Sequence, residues 1–159
     1  METTLAARLG RYNQLCRGYD SIYRQAALEA GISFVPYYIL LMLCSADQPQ
    51  TQSDIQKNSF YPKQTINSAV MRLQDLGYLE LVPQGRRKIL TLTDAGKAFC
   101  DQRVLPVLSA EEESFLALSP QEQEQLVFTT EKHLQLFRQR FAEKAEPLGE
   151  RIGGFYESK

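Results

Sequence analysis

The spacing of apolar residues changes at Gly77, and this change limits how the middle of the chain can fold. Residues 62–76 carry apolar side chains at helical intervals, which predicts a helix with one side packed on a core. Residues 79–82 and 89–92 show alternating patterns on either side of residues 83–86, a short segment that contains a glycine. Alternation around a tight turn predicts a β-hairpin. Gly77 itself suits the left-handed position that ends a helix.

The predicted helix and the predicted hairpin both carry groups that can contact a nucleic acid. The helix presents Lys63, Gln64, Asn67, Ser68 and Arg72 on its polar side. A solvated helix or an ordinary surface hairpin would explain either feature alone. Together, in this order, they favour a winged helix-turn-helix. The basic residues at the hairpin tip or just past it are Arg86, Arg87 and Lys88.

A shorter helix is predicted immediately before this one. Thr51 followed by Asp54 is a capping arrangement for a helix of about residues 52–58. Pro62 suits the first turn of the longer helix, where its missing N–H is no loss. Residues 51–76 therefore have the order and length of a helix-turn-helix, whose second helix enters the major groove of DNA.

Two helices are predicted on the N-terminal side of this motif. Residues 5–30 keep a helical apolar stripe that is rich in tyrosine, and Gly31 can end the helix. Ser33 is a candidate N-cap for a second helix that runs to about residue 46. Because residues 37–44 are apolar on every side, this second helix should be central and buried.

Two further helices are predicted on the C-terminal side. A helix after the hairpin should be kinked or interrupted at Pro106, and Ser109 with Glu112 offers a cap for a restart. Residues 119–122, Ser-Pro-Gln-Glu, give a stronger start signal for a last long helix.

The last helix should run to about residue 145, where Pro147 and Gly149 end it. Its apolar stripe and that of residues 5–23 would stay exposed in so short a chain, which predicts a twofold dimer. The expected fold class is mostly α with a small β-hairpin wing. The expected organisation is a dimerisation helix at residues 1–33, a winged helix-turn-helix at 34–97, and dimerisation helices with a tail at 98–159, all in one compact domain.

The charge distribution agrees with a DNA-binding surface, although the net charge of −1 does not suggest one. Residues 51–92 carry six basic and three acidic side chains, a local net charge of +3. Residues 93–159 carry eight basic and twelve acidic side chains. DNA binding requires a local positive face rather than a basic protein.

The inventory of reactive residues argues against an enzyme. The chain has one histidine, His133, and shows neither a glycine-rich phosphate loop nor the spacing of a metal site, so no cofactor is expected. Its three cysteines, Cys16, Cys44 and Cys100, have apolar neighbours, and three buried thiols are expected. With no signal peptide and no apolar run that could span a bilayer, a cytoplasmic location is expected.

The chain resembles the MarR family, the multiple-antibiotic-resistance type of bacterial transcription regulators. The resemblance is most specific in Thr51-Gln52-Ser53-Asp54-Ile55, in residues 62–79, in Gly85-Arg86-Arg87 and in Leu92-Thr93-Asp94-Ala95-Gly96. It implies a dimeric winged helix that binds pseudo-palindromic DNA. Many relatives are repressors that a small phenolic or lipophilic ligand, or cysteine oxidation, releases from DNA. Gln84 stands where the family often has an aspartate two residues before the wing arginine.

A DNA-binding repressor is the favoured hypothesis. Lys63 and Arg72 would contact phosphate or guanine, Gln64 and Asn67 would pair with adenine, and the Thr65 methyl would meet a thymine methyl. Ser68 would donate to a phosphate or a base edge, Arg86 would enter the minor groove, and Arg87 and Lys88 would contact the backbone.

Two alternatives and one ligand hypothesis remain open at this stage. The alternatives are a winged-helix module used only for protein contacts and a cysteine-based redox-sensing repressor. The ligand hypothesis places an aromatic inducer such as salicylate in a crevice beside the DNA-reading motif. The candidate wall residues of that crevice are Tyr12, Tyr19, Tyr23, Arg24, Tyr37 and Tyr38.

Overall fold

The computed structural model describes residues 4–145, which form the mostly helical architecture with one hairpin that the sequence predicts. The predicted helix end at Pro147 and Gly149 lies outside these residues. The chain divides into two compact units, residues 1–111 and 112–159. The elements are α1 (Leu5–Glu29), α2 (Phe34–Cys44), α3 (Gln52–Ser59), α4 (Lys63–Asp75), β1 (Leu79–Gln84), β2 (Arg87–Leu92), α5 (Asp94–Arg103), α6 (Leu105–Leu116) and α7 (Pro120–Ala145).

Helix α2 lies at the centre of the first unit because its surface is apolar almost all round. Tyr37, Ile39 and Leu40 are completely buried, as the apolar run predicts. The helix ends at Cys44, two residues earlier than expected, and Ser45 takes the C-cap position. The core around it also contains Ala27, Ile55, Ile66, Val70, Leu73, Leu79, Leu90, Cys100 and Val104.

The helix ends follow the predicted capping signals. Gly31 and Gly77 both have left-handed backbone conformations, with φ of +75° and +73°, directly after the C-caps of α1 and α4. At the second of these, the Tyr78 N–H donates to the Leu73 carbonyl at 2.9 Å, which closes the last turn of α4. Pro62 is the N-cap of α4 rather than its first helical residue.

The helix after the hairpin is interrupted as predicted, but not where the sequence suggested a restart. The first segment, α5, has its C-cap at Val104, and α6 begins at Leu105 with Pro106 in its first turn. The Val104 carbonyl accepts from the N–H groups of both Val107 and Leu108. The predicted cap at Ser109 is therefore wrong: Ser109 lies inside α6, because proline is tolerated in the first turn of the new helix.

The hairpin is held at its base to the residues that precede and follow it. Strands β1 and β2 pair antiparallel from Leu79 opposite Leu92 to Gln84 opposite Arg87. At the base, the Thr93 hydroxyl donates to the Gly77 carbonyl at 2.6 Å and accepts from the Gly96 N–H at 3.0 Å. This brings Gly96 so close to the Tyr78 carbonyl that no Cβ could fit between them.

Both long helices have exposed apolar side chains within the described residues. On α1 these include Leu5, Leu9, Leu15, Tyr19 and Ile22, and on α7 they include Leu126, Phe128, Leu134, Phe137 and Phe141. Among the residues described, no single helix is both long and apolar enough to cross a membrane; α1 and α2 meet that test only as a pair, bent by 101°.

Candidate nucleic-acid interface

Helix α4 has one buried side and one exposed side, and the predicted DNA-contacting residues lie on the exposed one. Ile66, Ala69, Val70 and Leu73 anchor the helix in the core. Because helical residues advance by about 100° each, the opposite side must present a continuous polar stripe. The exposed predicted residues are Lys63, Gln64, Asn67, Ser68 and Arg72, and Thr65 is half-buried at the edge of the stripe.

Two apolar residues of this surface were missed by the sequence interpretation. Met71 is 63% exposed and lies four residues after Asn67 and seven after Gln64, in the middle of the polar stripe. Phe60 is 77% exposed in the turn before α4, with a left-handed backbone (φ +58°) that is unusual for a residue with a side chain. Helical spacing could have revealed Met71, whereas nothing in the sequence signals the conformation of Phe60.

The hairpin reverses direction in a two-residue turn, Gly85-Arg86. Gly85 has φ of +60°, which a glycine adopts without steric cost. Arg86, Arg87 and Lys88 are all exposed, so the tip presents three adjacent cations. Strand residues 87 and 88 point to opposite faces of the hairpin.

Arg87 has a partner that the sequence did not suggest. Its Nη2 lies 3.1 Å from Oδ2 of Asp54 at the start of α3, 33 residues earlier in the chain. Asp54 also completes the predicted capping box with Thr51. Hydrogen bonds from the Thr51 hydroxyl and the Thr51 backbone N–H, assisted by the Arg87 charge, hold the pKa of the Asp54 carboxyl below its ordinary value.

The six predicted ligand-contacting residues do not share one place. Tyr12 and Tyr19 are exposed on α1, whereas Tyr37 is buried in the core, where its hydroxyl donates to the Arg103 carbonyl at 2.7 Å. A buried, hydrogen-bonded Tyr37 packs the core rather than lining an open crevice. The other three, Tyr23, Arg24 and Tyr38, belong to a single aromatic cluster.

This aromatic cluster joins α1, α2 and the turn before α4. The Arg24 guanidinium lies 4.3 Å from the centre of the Phe34 ring, and its Nε lies 2.6 Å from Asp20. The Tyr38 ring stands 5.9 Å from Phe34 and 6.1 Å from Tyr61, centre to centre. Burial raises the pKa of Tyr38, and burial with a hydrogen bond to Glu111 raises that of Tyr23. Both phenols therefore stay protonated to a higher pH than an ordinary tyrosine.

The cysteines differ in exposure. Cys16 is exposed on α1, so the expectation of three buried thiols is wrong for this residue. Cys44 is half-buried and Cys100 is buried, and the two side chains are hydrogen-bonded to each other. That bond and burial raise the pKa of the Cys100 thiol, which keeps it protonated.

Comparisons with known proteins point to one family. Residues 30–88, which contain the helix-turn-helix and most of the wing, match the family model described as the MarR family. No curated protein sequence matches the chain significantly. Within residues 4–145, no three His, Cys, Asp or Glu side chains lie together in a way that could hold a metal ion.

Solved structures share the fold at low sequence identity. A MarR family regulator from Neisseria meningitidis has a TM-score of 0.71 at 18% identity, over 89% of this chain and 99% of that one. The MepR protein of S. aureus, solved as a complex with DNA, has a TM-score of 0.69 at 17% identity, over 85% of this chain and 99% of that one. A MarR/EmrR family transcriptional regulator from Acinetobacter sp. ADP1 has a TM-score of 0.65 at 18% identity, over 83% of this chain and 95% of that one. Residues 30–88 thus match the MarR family model, and the described residues share the fold of these MarR family regulators.

Proposed function

We propose that the protein is a sequence-specific DNA-binding transcription regulator, acting as a dimeric repressor in the cytoplasm. The observation that carries the proposal is the pairing of an exposed polar stripe on α4 with three exposed cations at the tip of the adjacent hairpin. The MarR family contains transcription regulators rather than enzymes, and a related fold has been solved with DNA. The proposed partner is double-stranded DNA with a pseudo-palindromic sequence, matching a twofold dimer.

The two parts of the surface would read DNA in different ways. Helix α4 would lie in the major groove, where Gln64 and Asn67 can form paired hydrogen bonds with adenine and Thr65 can meet a thymine methyl. Lys63, Ser68 and Arg72 would contact phosphates or guanine from the same face. Arg86 would enter the minor groove beside it, with Lys88 near the backbone.

Titration of duplex DNA at two salt concentrations tests this proposal. A regulator should bind an operator selected from genomic fragments more tightly than a scrambled duplex, and both affinities should fall as salt rises. A winged-helix module used only for protein contacts would bind neither duplex at physiological salt. The absence of any salt-dependent binding would therefore overturn the proposal in favour of that alternative.

The dimer is proposed from the exposed apolar stripes of α1 and α7. Leu5 is 74% exposed and Phe141 is 65% exposed, and contiguous apolar surface on this scale is typical of partner interfaces. In this proposal a second copy of the chain buries each of the two stripes. Light scattering of the full chain gives the oligomeric state directly.

We further propose that a small planar aromatic acid controls DNA binding through the aromatic cluster of Tyr23, Arg24, Phe34, Tyr38 and Tyr61. Its four aromatic rings and one guanidinium would suit an anionic phenolic ligand. Release from DNA requires the ligand to bind the DNA-free conformation more tightly than the bound one. A panel of phenolic acids should raise the melting temperature and weaken operator binding. If none does either, this part of the proposal is wrong.

A redox-controlled repressor is a second candidate, favoured by the contact between Cys44 and Cys100. A hydroperoxide could oxidise the two thiols to a disulfide, and would itself be reduced to an alcohol and water. Mass spectrometry after peroxide treatment would detect the loss of two hydrogens from the peptide pair. Operator binding that does not change when this bond forms would exclude the redox role.

A further inference from the structure

Strand β2 is tied to the start of α3 by the main chain as well as by a side chain. The Leu90 N–H donates to the Gln50 carbonyl at 2.9 Å, and Thr51 forms an antiparallel bridge with Ile89. The Arg87–Asp54 ion pair lies farther along the same strand, towards the tip. The wing is therefore attached to the helix-turn-helix at its middle by backbone hydrogen bonds and near its tip by a single arginine.

The carboxylate that receives Arg87 is held in place by other bonds. Oδ2 of Asp54 accepts from the Thr51 N–H at 2.9 Å and from the Thr51 hydroxyl at 2.6 Å, in addition to Arg87 Nη2 at 3.1 Å. Because the capping box fixes the Asp54 side chain, the arginine docks on a preorganised acceptor and loses less freedom than it would with a mobile partner.

The ion pair is too exposed to act mainly through stability. The Arg87 side chain is 63% exposed and that of Asp54 is 29% exposed, so solvent screens their attraction. The pair also links the tip half of β2 to α3, and α3 packs on α4. Arg86, one residue earlier in the turn, takes part in none of the ion pairs found within residues 4–145.

We propose that Arg87 is a positioning residue: it clamps the wing to the capping box of α3 so that Arg86 is presented to DNA at a fixed place beside α4. This assignment rests on the proposed DNA-binding function, and it replaces the phosphate contact that the sequence suggested for Arg87. It also gives a physical role to the carboxylate of Asp54 beyond capping. In this chain the acidic partner for the wing comes from α3, and position 84 in the wing is a glutamine.

The first test needs no DNA. Amide hydrogen exchange of the full-length protein is compared for the wild type, Arg87→Gln, Asp54→Asn and the matched neighbour Arg86→Gln. Asparagine at position 54 keeps an oxygen for the Thr51 N–H, so the cap survives while the charge is lost. We expect Arg87→Gln and Asp54→Asn to speed exchange of the wing amides about two- to fivefold, whereas Arg86→Gln leaves them unchanged.

The same hydrogen-exchange comparison separates a clamp from two independent effects. The double variant Asp54→Asn/Arg87→Gln should exchange no faster than either single variant, because both remove the same contact. Arg87→Lys should restore part of the protection. Wild-type exchange rates in Arg87→Gln would overturn the clamp, whether or not the protein binds DNA.

The second test measures operator affinity and its salt dependence for the same variants. A positioning residue predicts that Arg87→Gln weakens binding in the wild-type background, adds nothing in the Asp54→Asn background, and leaves the salt slope unchanged. A direct phosphate contact predicts instead a slope lower by about one counterion per site in both backgrounds, and this result would overturn the proposal. If the wild type binds no DNA, the proposed function fails while the exchange result still decides the clamp.

Discussion

At the scale of single residues, Gln64 and Arg86 should have separable roles on DNA. Gln64 can form paired hydrogen bonds with a base edge, so Gln64→Ala should weaken operator binding by about 1–3 kcal/mol and leave non-specific binding and the salt slope nearly intact. Arg86→Ala should weaken binding to both kinds of duplex and lower the salt slope by about one counterion per site. Binding isotherms over a salt series measure both quantities. Unchanged affinity and slope in Arg86→Ala would show that the wing tip does not contact DNA.

Met71 should contribute apolar contact at the centre of the α4 stripe. Because it is uncharged and 63% exposed, Met71→Ala should reduce operator affinity by about 1 kcal/mol without altering the salt slope. Gln74→Ala is a suitable control, since Gln74 is exposed on α4 but lies near the helix end. Equal affinities for the wild type and Met71→Ala would remove Met71 from the reading surface.

Gly96 should be intolerant of any side chain. A Cβ at this position would overlap the Tyr78 carbonyl, and relieving such overpacking costs about 1–3 kcal/mol of stability. Gly10→Ala provides the matched control, because Gly10 lies within a helix with open space around it, and alanine there should add about 0.5–1 kcal/mol. Denaturant unfolding of both variants measures the difference, and equal stabilities would contradict the close approach.

Single residues also show where sequence reasoning succeeds and where it stops. Local signals such as the Thr51–Asp54 cap and Gly77 were predicted correctly because their causes lie within a few residues. The pairing of Arg87 with Asp54 depends on how the hairpin packs on α3, so spacing alone could not reveal it. Tyr37 was placed among candidate pocket residues because a tyrosine suits both a pocket wall and a core; only the fold shows its hydroxyl bonded to Arg103.

At the scale of elements, the start of α3 should make a pH-dependent contribution to stability. The Asp54 pKa is lowered on folding, so its stabilising effect is complete above the unfolded value of about 3.9 and is lost as pH falls through the lower folded value. The free energy of unfolding should be measured from about pH 6 down to about pH 2, a range that roughly spans the folded and unfolded pKa of Asp54. It should fall less steeply with falling pH in Asp54→Asn than in the wild type. Parallel curves would show that Asp54 has the same pKa in both states.

The order of the elements was predictable, because each begins or ends with a strong local signal. The residues of α4 and the hairpin follow a change of period, and α7 begins at the predicted Ser119–Glu122 capping pair, in which Ser119 N donates to Glu122 at 2.9 Å. The predicted start of α6 at Ser109 was wrong because two possible start signals, Pro106 and Ser109, lie close together. A proline in a first turn and a serine cap are both permitted starts. The chain uses the first, directly after Val104, which is buried in the core.

At the scale of the whole molecule, both terminal helices should be needed for assembly. The stripes of α1 and α7 expose large apolar side chains, which a second copy would bury. Truncation after Leu118 should therefore yield a monomer or an insoluble chain, whereas the full-length protein should form a dimer. Light scattering checks both; a soluble, folded dimer of the truncated chain would contradict the proposed role of α7.

The two-residue turn at Gly85-Arg86 sets the reach of the wing in discrete steps. Each strand residue adds about 3.3 Å and reverses the direction of its side chain, so the tip cannot be moved gradually by insertion. One extra residue in each strand would carry the arginine forward while turning it to the opposite face. Two extra residues in each strand would restore the face at about 7 Å greater reach. A redesign of this wing for a deeper or more distant groove therefore has to change its length by four residues at a time.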